Sequence, residues 1–261
     1  MSAMEQQSDF NHIPEEADAA RQRLDRARET AEAHLEAGRF AAALEALAPA
    51  LEELDRFTLP EDAVWMDFSS YFDGLLFEDC FSDEINGREV RRHPLHPARV
   101  LRLCAEALFR LERYEEAAGA LELLTDLDPV CPTDLCALAS AQLRAGNSEE
   151  ARDTLDWALR CASTVREAAR CYLLLGYCLV QDGEWDDAGI LFQKSLKTEP
   201  TPEAEAALGQ LAVLTDSTGS LSDEVVDRRL SELEIPTGPS EAVIMNLRFF
   251  EWCEAQQQGR E

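Results

Sequence analysis

Along most of the chain, bulky apolar side chains return every three or four positions, the spacing that gathers them on one face of a helix. Small residues interrupt that pattern at fixed places. Between Ala169 and Pro200 the bulky positions are Tyr172, Leu175, Leu179 and Phe192, with Gly176 and Ala188 among them and Gly183 dividing the stretch. These sizes predict two antiparallel helices. Gly176 and Ala188 stand where the helices touch, and the bulky residues stand where the hairpin buries its face on a neighbour. Gly183 lies in the turn and Pro200 ends the second helix.

The spacing recurs upstream. Ala98 opens a unit with Leu101, Cys104-Ala105, Leu108, Ala117, Leu121 and Pro129; Pro132 opens another with Leu135, Leu138-Ala139, Ala151, Leu155 and Ala158. A first, less regular unit begins near Pro14 and runs through Leu24, Ala27, Ala31 and Leu35 to Gly38, then Phe40, Ala43, Leu47 and Ala50. Its His34 falls where the pattern favours an aromatic and is expected to be packed or partly exposed. In all four units the two contact positions are small: Ala31/Ala43, Ala105/Ala117, Ala139/Ala151 and Gly176/Ala188. The period of about 34 residues and the W-x2-L-G-x2-Y, A-x3-F, P spacing resemble tetratricopeptide repeats, which implies an all-α solenoid of stacked helix-turn-helix units.

The segment from Arg56 to Pro97 does not follow the period. Its first half carries Glu61, Asp62, Asp67, Asp73, Glu78, Asp79, Asp83 and Glu84 without a base, interleaved with Trp65, Phe68, Tyr71, Phe72, Phe77 and Phe81. Trp65, Phe68, Phe72, Leu75 and Leu76 recur at three- and four-residue steps and predict one amphipathic helix. Its second half turns basic through Arg88, Arg91 and Arg92, and His93-Pro94 and His96-Pro97 break any helix. Past Pro200, a helix over Glu203–Thr215 is expected to cap the last unit, followed by the turn STGSLS, a short helix over Ser222–Glu234, the loop IPTGPS, and a helix from Glu241 that Ser240 can cap. That last helix, with Val243, Ile244, Leu247, Phe250, Trp252 and Cys253, reads as half of an incomplete repeat. The expected division is a disordered tail over 1–13, repeats over 14–55, 98–131, 132–168 and 169–202, an insertion over 56–97, a capping helix over 203–216 and a helical appendage over 217–261.

Charge narrows the function. The 24 lysines and arginines against 52 acids leave a net charge of −28, which argues against binding a phosphate backbone or an anionic membrane surface. Solubility, a salt-rich cytosol or selection of partners would each account for it. The N-terminus has neither a basic start nor an apolar core of a signal peptide, and no apolar run is long enough to span a bilayer. The eight cysteines form no C-x-x-C pair. Reduced, structural thiols and a cytoplasmic location are therefore expected. His93 and His96 with Cys80 or Asp83 read as loop residues rather than a metal site, and no phosphate loop, nucleophile elbow or H-E-x-x-H occurs. The chain is expected to be no enzyme and to need no cofactor or metal.

The runs HPLHPARVLRLCAEALFRLERYEEAAGALELLTDLDPVCP, AARCYLLLGYCLVQDGEWDDAGILFQKSLKTEP and EIPTGPSEAV resemble a functionally uncharacterised group of bacterial tetratricopeptide repeat proteins. The resemblance brings no reaction with it. It implies that the first helix of each unit lines a concave groove through positions near 2, 5, 9, 12 and 13. Here those positions place Arg99, Arg102, Phe109, Arg110, Cys136, Leu143, Arg144, Arg170, Tyr177 and Val180 on the lining, with Glu106 its one acid. Arginine forks hold carboxylates bidentately, and Phe109, Leu143, Tyr177 and Val180 offer apolar contact. The expected function is an adaptor or scaffold whose groove takes an acidic or aromatic-bearing peptide of a partner; a chaperone holding an aggregation-prone client is the alternative. The lysine and asparagine clamp of chaperone-binding tetratricopeptide domains has no counterpart here. The acidic aromatic segment 61–84 has the chemistry to dock in the groove itself, and Arg102→Glu is expected to spare folding while harming binding.

Overall fold

The computed structural model describes residues 15–215 and 221–258. The tail expected over 1–13, most of the STGSLS turn and the side chains of Phe250, Trp252 and Cys253 lie outside the described residues. Helices α1 (Glu15–Glu36) and α2 (Phe40–Arg56) form a hairpin that closes on Ala31 and Ala43, both fully buried. The following segment holds strand β1 (Ala63–Met66), helix α3 (Tyr71–Cys80), a single turn α4 (Ser82–Ile85) and strand β2 (Glu89–Arg92). Three further hairpins follow: α5 (Ala98–Arg110) with α6 (Tyr114–Leu127), α7 (Pro132–Ala145) with α8 (Ser148–Cys161), and α9 (Val165–Asp182) with α10 (Trp185–Thr198). Each hairpin packs on the next, and α2 meets α5 directly although some forty residues separate them in sequence.

One turn geometry joins every hairpin. The sixth residue bonds back to the first: Arg39 N–H to His34 O, Arg113 to Leu108, Asn147 to Gln142 and Glu184 to Leu179, all within 2.8–3.0 Å. This Schellman closure needs a left-handed residue one position earlier. Gly38, Gly146 and Gly183 fill that place at φ of 69°, 94° and 83°, whereas the second unit uses Glu112 at φ 60°. Gly176 answers a different need. A Cβ there would lie 2.4 Å from Phe192 Cε1, so the close approach of α9 to α10 leaves no room for a side chain.

Within 56–97 the structure corrects the expected helix. Residues 63–66 are a strand paired in parallel with β2, in the register Val64 to Val90 and Trp65 to Arg91, and the helix begins only at Tyr71. Tertiary partners override the local period. Asp67 N–H bonds to Leu127 O at 3.0 Å, Ser69 N–H to Asp128 Oδ2 at 2.7 Å, and the Asp67 carboxylate accepts from Ala98 N–H at 3.0 Å. These bonds hold the backbone open until Ser70, whose Oγ caps α3 by accepting from Asp73 N–H at 3.1 Å. The basic half, expected only to break helices, supplies β2. Phe68, Phe77 and Phe81 stack in sequence and end edge-on against Trp157, whose Nε1 donates to Pro129 O.

Helix α11 (Pro202–Thr215) covers α10, and α12 (Asp223–Glu232) returns to α10. Lys194–Asp227 (2.7 Å), Arg229–Asp187 (2.7 Å) and Lys197–Asp223 pair the two. The chain then crosses α9 and α8: Tyr172 Oη donates to Pro236 O, and Ser240 N–H to Arg160 O. Helix α13 (Glu241–Gln258) starts on the Ser240 cap and packs against α3, with Val243 beside Leu76 and Phe77 and Asn246 Nδ2 donating to Asp79 Oδ2 at 2.8 Å. It therefore does not extend the stack as half a repeat. Its apolar face is used on α3, far away in sequence.

Candidate functional site

The first helices α5, α7 and α9 make one continuous face because their residues are tied pairwise. Arg102 of α5 forks onto Asp134 of α7, Nε to Oδ1 at 2.9 Å and Nη2 to Oδ2 at 2.6 Å. Cys136 of α7 meets Cys171 of α9 with the sulfurs 3.5 Å apart, and Gln181 Nε2 of α9 donates to Leu143 O of α7 at 3.4 Å. On that face Phe109, Leu143 and Val180 are half-buried and Tyr177 is 38% exposed. Phe109 meets Tyr114 edge-on with ring centres 5.2 Å apart, and Tyr177 meets Phe192 likewise at 5.2 Å. Cys136 is only 1% exposed and belongs to the core rather than to the lining.

The arginines divide into two groups. Arg99 pairs with Glu32 of the first hairpin at 2.8 Å. Arg102, whose pair with Asp134 raises its pKa, also donates to Ser69 Oγ at 2.5 Å. Both charges are balanced within the fold, and Arg102 is a structural tie: Asp134 is 3% exposed, so losing the arginine would strand a buried carboxylate. That overturns the expectation that Arg102→Glu spares folding. The other three have no carboxylate within 4.0 Å among the described residues. Arg110 lies over the Phe40 ring at 5.9 Å. Arg144 lies over the Tyr114 ring at 4.9 Å and donates to Tyr114 Oη at 2.7 Å. Arg170 is exposed near the buried thiol pair. An aromatic support fixes a guanidinium without neutralising it, so its fork stays available to an incoming carboxylate.

Segment 61–84 docks elsewhere. Apart from the Ser69 contact to Arg102 and the Asp67 bond from Ala98 N–H at the start of α5, it lies on the junctions that follow α6 and α8, with Met66, Leu76 and Phe77 packed on Val130 and Cys161. Leu76 is fully buried, which makes this part of the core. What the reading of the sequence missed were the acids Glu32 and Asp134. The second had a signal: stacking one unit on the next brings position 5 of one first helix toward position 3 of its neighbour, which are Arg102 and Asp134. The expected loop histidines lie apart from this face. His93 is buried and its pKa falls to about 4 because burial disfavours the charged ring, while His96 Nδ1 sits 3.2 Å from Asp67 Oδ1. Burial pushes the Cys178 thiol up to about 12 and raises Cys104 as well, so these two are poor nucleophiles.

Residues 136–205 match the sequence profile of the tetratricopeptide repeat family. Among solved structures, the first tetratricopeptide domain of Spaghetti (RPAP3) bound to the HSP90 peptide SRMEEVD aligns at 23% identity, covering 46% of this chain and 94% of that one, with a TM-score of 0.41. The MamA RS-1 ArsTM double mutant aligns at 16% identity, covering 87% of this chain and 95% of that one, with a TM-score of 0.49. No curated protein matches the chain.

Proposed function

We propose that this chain, which carries tetratricopeptide repeats, is a non-enzymatic adaptor whose first-helix face binds an acidic, aromatic-bearing segment of a partner protein. The observation that carries the reading is the set of unbalanced cations Arg110, Arg144 and Arg170 beside Phe109, Leu143, Tyr177 and Val180, in a chain with a net charge of −28. Forks held over an aromatic ring, as for Arg110 and Arg144, engage carboxylates with little loss of side-chain entropy, and the apolar residues beside them accept a ring. The test is fluorescence anisotropy with labelled twelve-residue peptides, acidic with one Trp or Phe, against the same peptides with lysine for each acid. The acidic set should bind with an affinity that weakens as salt rises, and Arg110→Gln/Arg144→Gln/Arg170→Gln should lose at least tenfold while keeping its circular dichroism spectrum. Equal binding of both peptide sets, or of parent and variant, overturns the proposal.

A second reading, a chaperone for an aggregation-prone client, draws on the cleft of about 630 Å³ between α10 and α11, lined by Trp185, Ile190, Leu196, Leu208 and Leu221, beside exposed Val213 and Leu214. A chaperone suppresses aggregation of a model client at near-stoichiometric ratio and is insensitive to the three arginine substitutions. An adaptor does neither.

A further inference from the structure

Where α3 docks on the junction between α6 and α7, three side chains with metal-ligating atoms converge. Asp73 stands in the first turn of α3, Asp128 follows the last residue of α6, and Cys131 precedes the first residue of α7. One ligand atom from each lies within 4.8 Å of the other two, and all three residues are buried. Asp128 is 0% exposed; its Oδ2 accepts from Ser69 N–H at 2.7 Å, while its Oδ1 has no hydrogen-bond partner. An enclosed carboxylate oxygen with nothing to satisfy it is costly, and a second buried carboxylate beside it adds repulsion. Arg102, which reaches Ser69, does not relieve this, because its fork is committed to Asp134. The N-termini of α3 and α7 add partial positive charge but give Oδ1 no donor.

Ser69, whose N–H holds Asp128, accepts in turn from Arg102 Nη2 at 2.5 Å through its hydroxyl. Outer contacts of this kind orient metal ligands. We propose that Asp73, Asp128 and Cys131 bind one divalent cation of the zinc type, two carboxylate oxygens and one sulfur being completed by water. A single sulfur among oxygens favours zinc over magnesium or calcium, which prefer all-oxygen shells. Metal–oxygen and metal–sulfur bonds of about 2.0–2.3 Å set tetrahedral ligands about 3.3–3.8 Å apart, so the three side chains need close by no more than about 1.5 Å around the ion. On binding, the Cys131 S–H bond breaks, its proton leaves to solvent, and the sulfur lone pair goes to the cation. Because Asp73 belongs to the segment between the first two hairpins and the other ligands belong to the repeats, the ion staples that segment, and α13 behind it, to the solenoid.

The test uses the full chain stripped of metal by a chelator and titrated with Co²⁺ and Zn²⁺. The expected result is one ion per chain, a sulfur-to-cobalt charge-transfer band with visible bands of a tetrahedral site, and a Zn²⁺-dependent rise in the thermal midpoint that equal Mg²⁺ does not give. Cys131→Ser should abolish the charge-transfer band, Asp73→Asn should weaken Co²⁺ binding at least tenfold, and Cys80→Ser, which alters the exposed thiol, should change neither. Absence of the band in the parent chain overturns the proposal whether or not the variants fold. So does a band that survives Cys131→Ser, or equal stabilisation by Mg²⁺.

Discussion

Adding one methyl group at Gly176 sets two effects against each other in the fourth hairpin. Glycine inside a helix is worse than alanine by about 0.5–1 kcal/mol, so Gly176→Ala should stabilise α9 on propensity alone. Against that, the new Cβ would lie 2.4 Å from Phe192 Cε1, 2.6 Å from Cδ1 and 3.2 Å from Cζ. Ordinary contact would require the ring to move by about 1 Å, yet Phe192 is fully buried and packed edge-on against Tyr177. Overpacking of this kind costs about 1–3 kcal/mol, which exceeds the propensity gain. Gly119 in α6 provides the matched control, because a Cβ there meets nothing within 4 Å. Urea unfolding followed by far-ultraviolet circular dichroism should move the midpoint down for Gly176→Ala and up for Gly119→Ala, a separation of about 1–3 kcal/mol. Replacing the ring as well, in Gly176→Ala/Phe192→Leu, should recover part of the loss. If Gly176→Ala stabilises as much as Gly119→Ala, α9 and α10 do not cross at Gly176 and the register of the repeats is wrong.

Arg102→Gln should destabilise by about 2–3 kcal/mol, less than for a wholly buried pair because Arg102 is 35% exposed, and Asp134→Asn in that background should restore part of it by removing the stranded charge; thermal unfolding of the three proteins reads this. Glu112→Gly should stabilise by about 1 kcal/mol in the same assay, since only glycine occupies the left-handed turn position without strain. For His93 the folded pKa of about 4 lies below the usual 6.5, pushed down by burial and by His96 although Asp67 opposes it. The unfolded chain therefore takes up a proton between those values that the folded chain does not. Stability is full above pH 6.5 and falls as pH drops toward 4, by up to about 3 kcal/mol; His93→Asn, which keeps an acceptor for Leu95 N–H, should flatten that limb of the pH profile.

The repeat architecture was legible because its determinants are local and periodic. Ala31, Ala43, Ala105, Ala117, Ala139, Ala151, Gly176 and Ala188 are small because two helices cross at each site, and Gly38, Gly146 and Gly183 mark turns that need a left-handed residue. Glu112 hides the same turn because its residue type does not announce the conformation. Residues 63–70 misled because Trp65 and Phe68 continue the helical period of Phe72, Leu75 and Leu76, whereas Leu127 O, Asp128 and Ala98 N–H fix that backbone and are distant in sequence. The return of α13 to α3 has the same cause: Val243 is apolar on any reading, but nothing near it names Leu76 as its neighbour. In the candidate groove the sequence placed the arginines on one set of helices without telling which were balanced. That depended on Glu32 and Asp134, acids on other elements.

The central claim, that the unbalanced arginines of the first helices receive an acidic partner segment, is tested most directly by nuclear magnetic resonance of the arginine side chains. The Nε–H signals of Arg110, Arg144 and Arg170, assigned by single substitution, would be followed as an acidic aromatic peptide is added. Shifts in all three signals that saturate together, with Arg99 and Arg102 nearly unmoved because their forks are already occupied, are the predicted result. Binding that leaves these three signals in place, or that moves only arginines of α12 and α13, would contradict it.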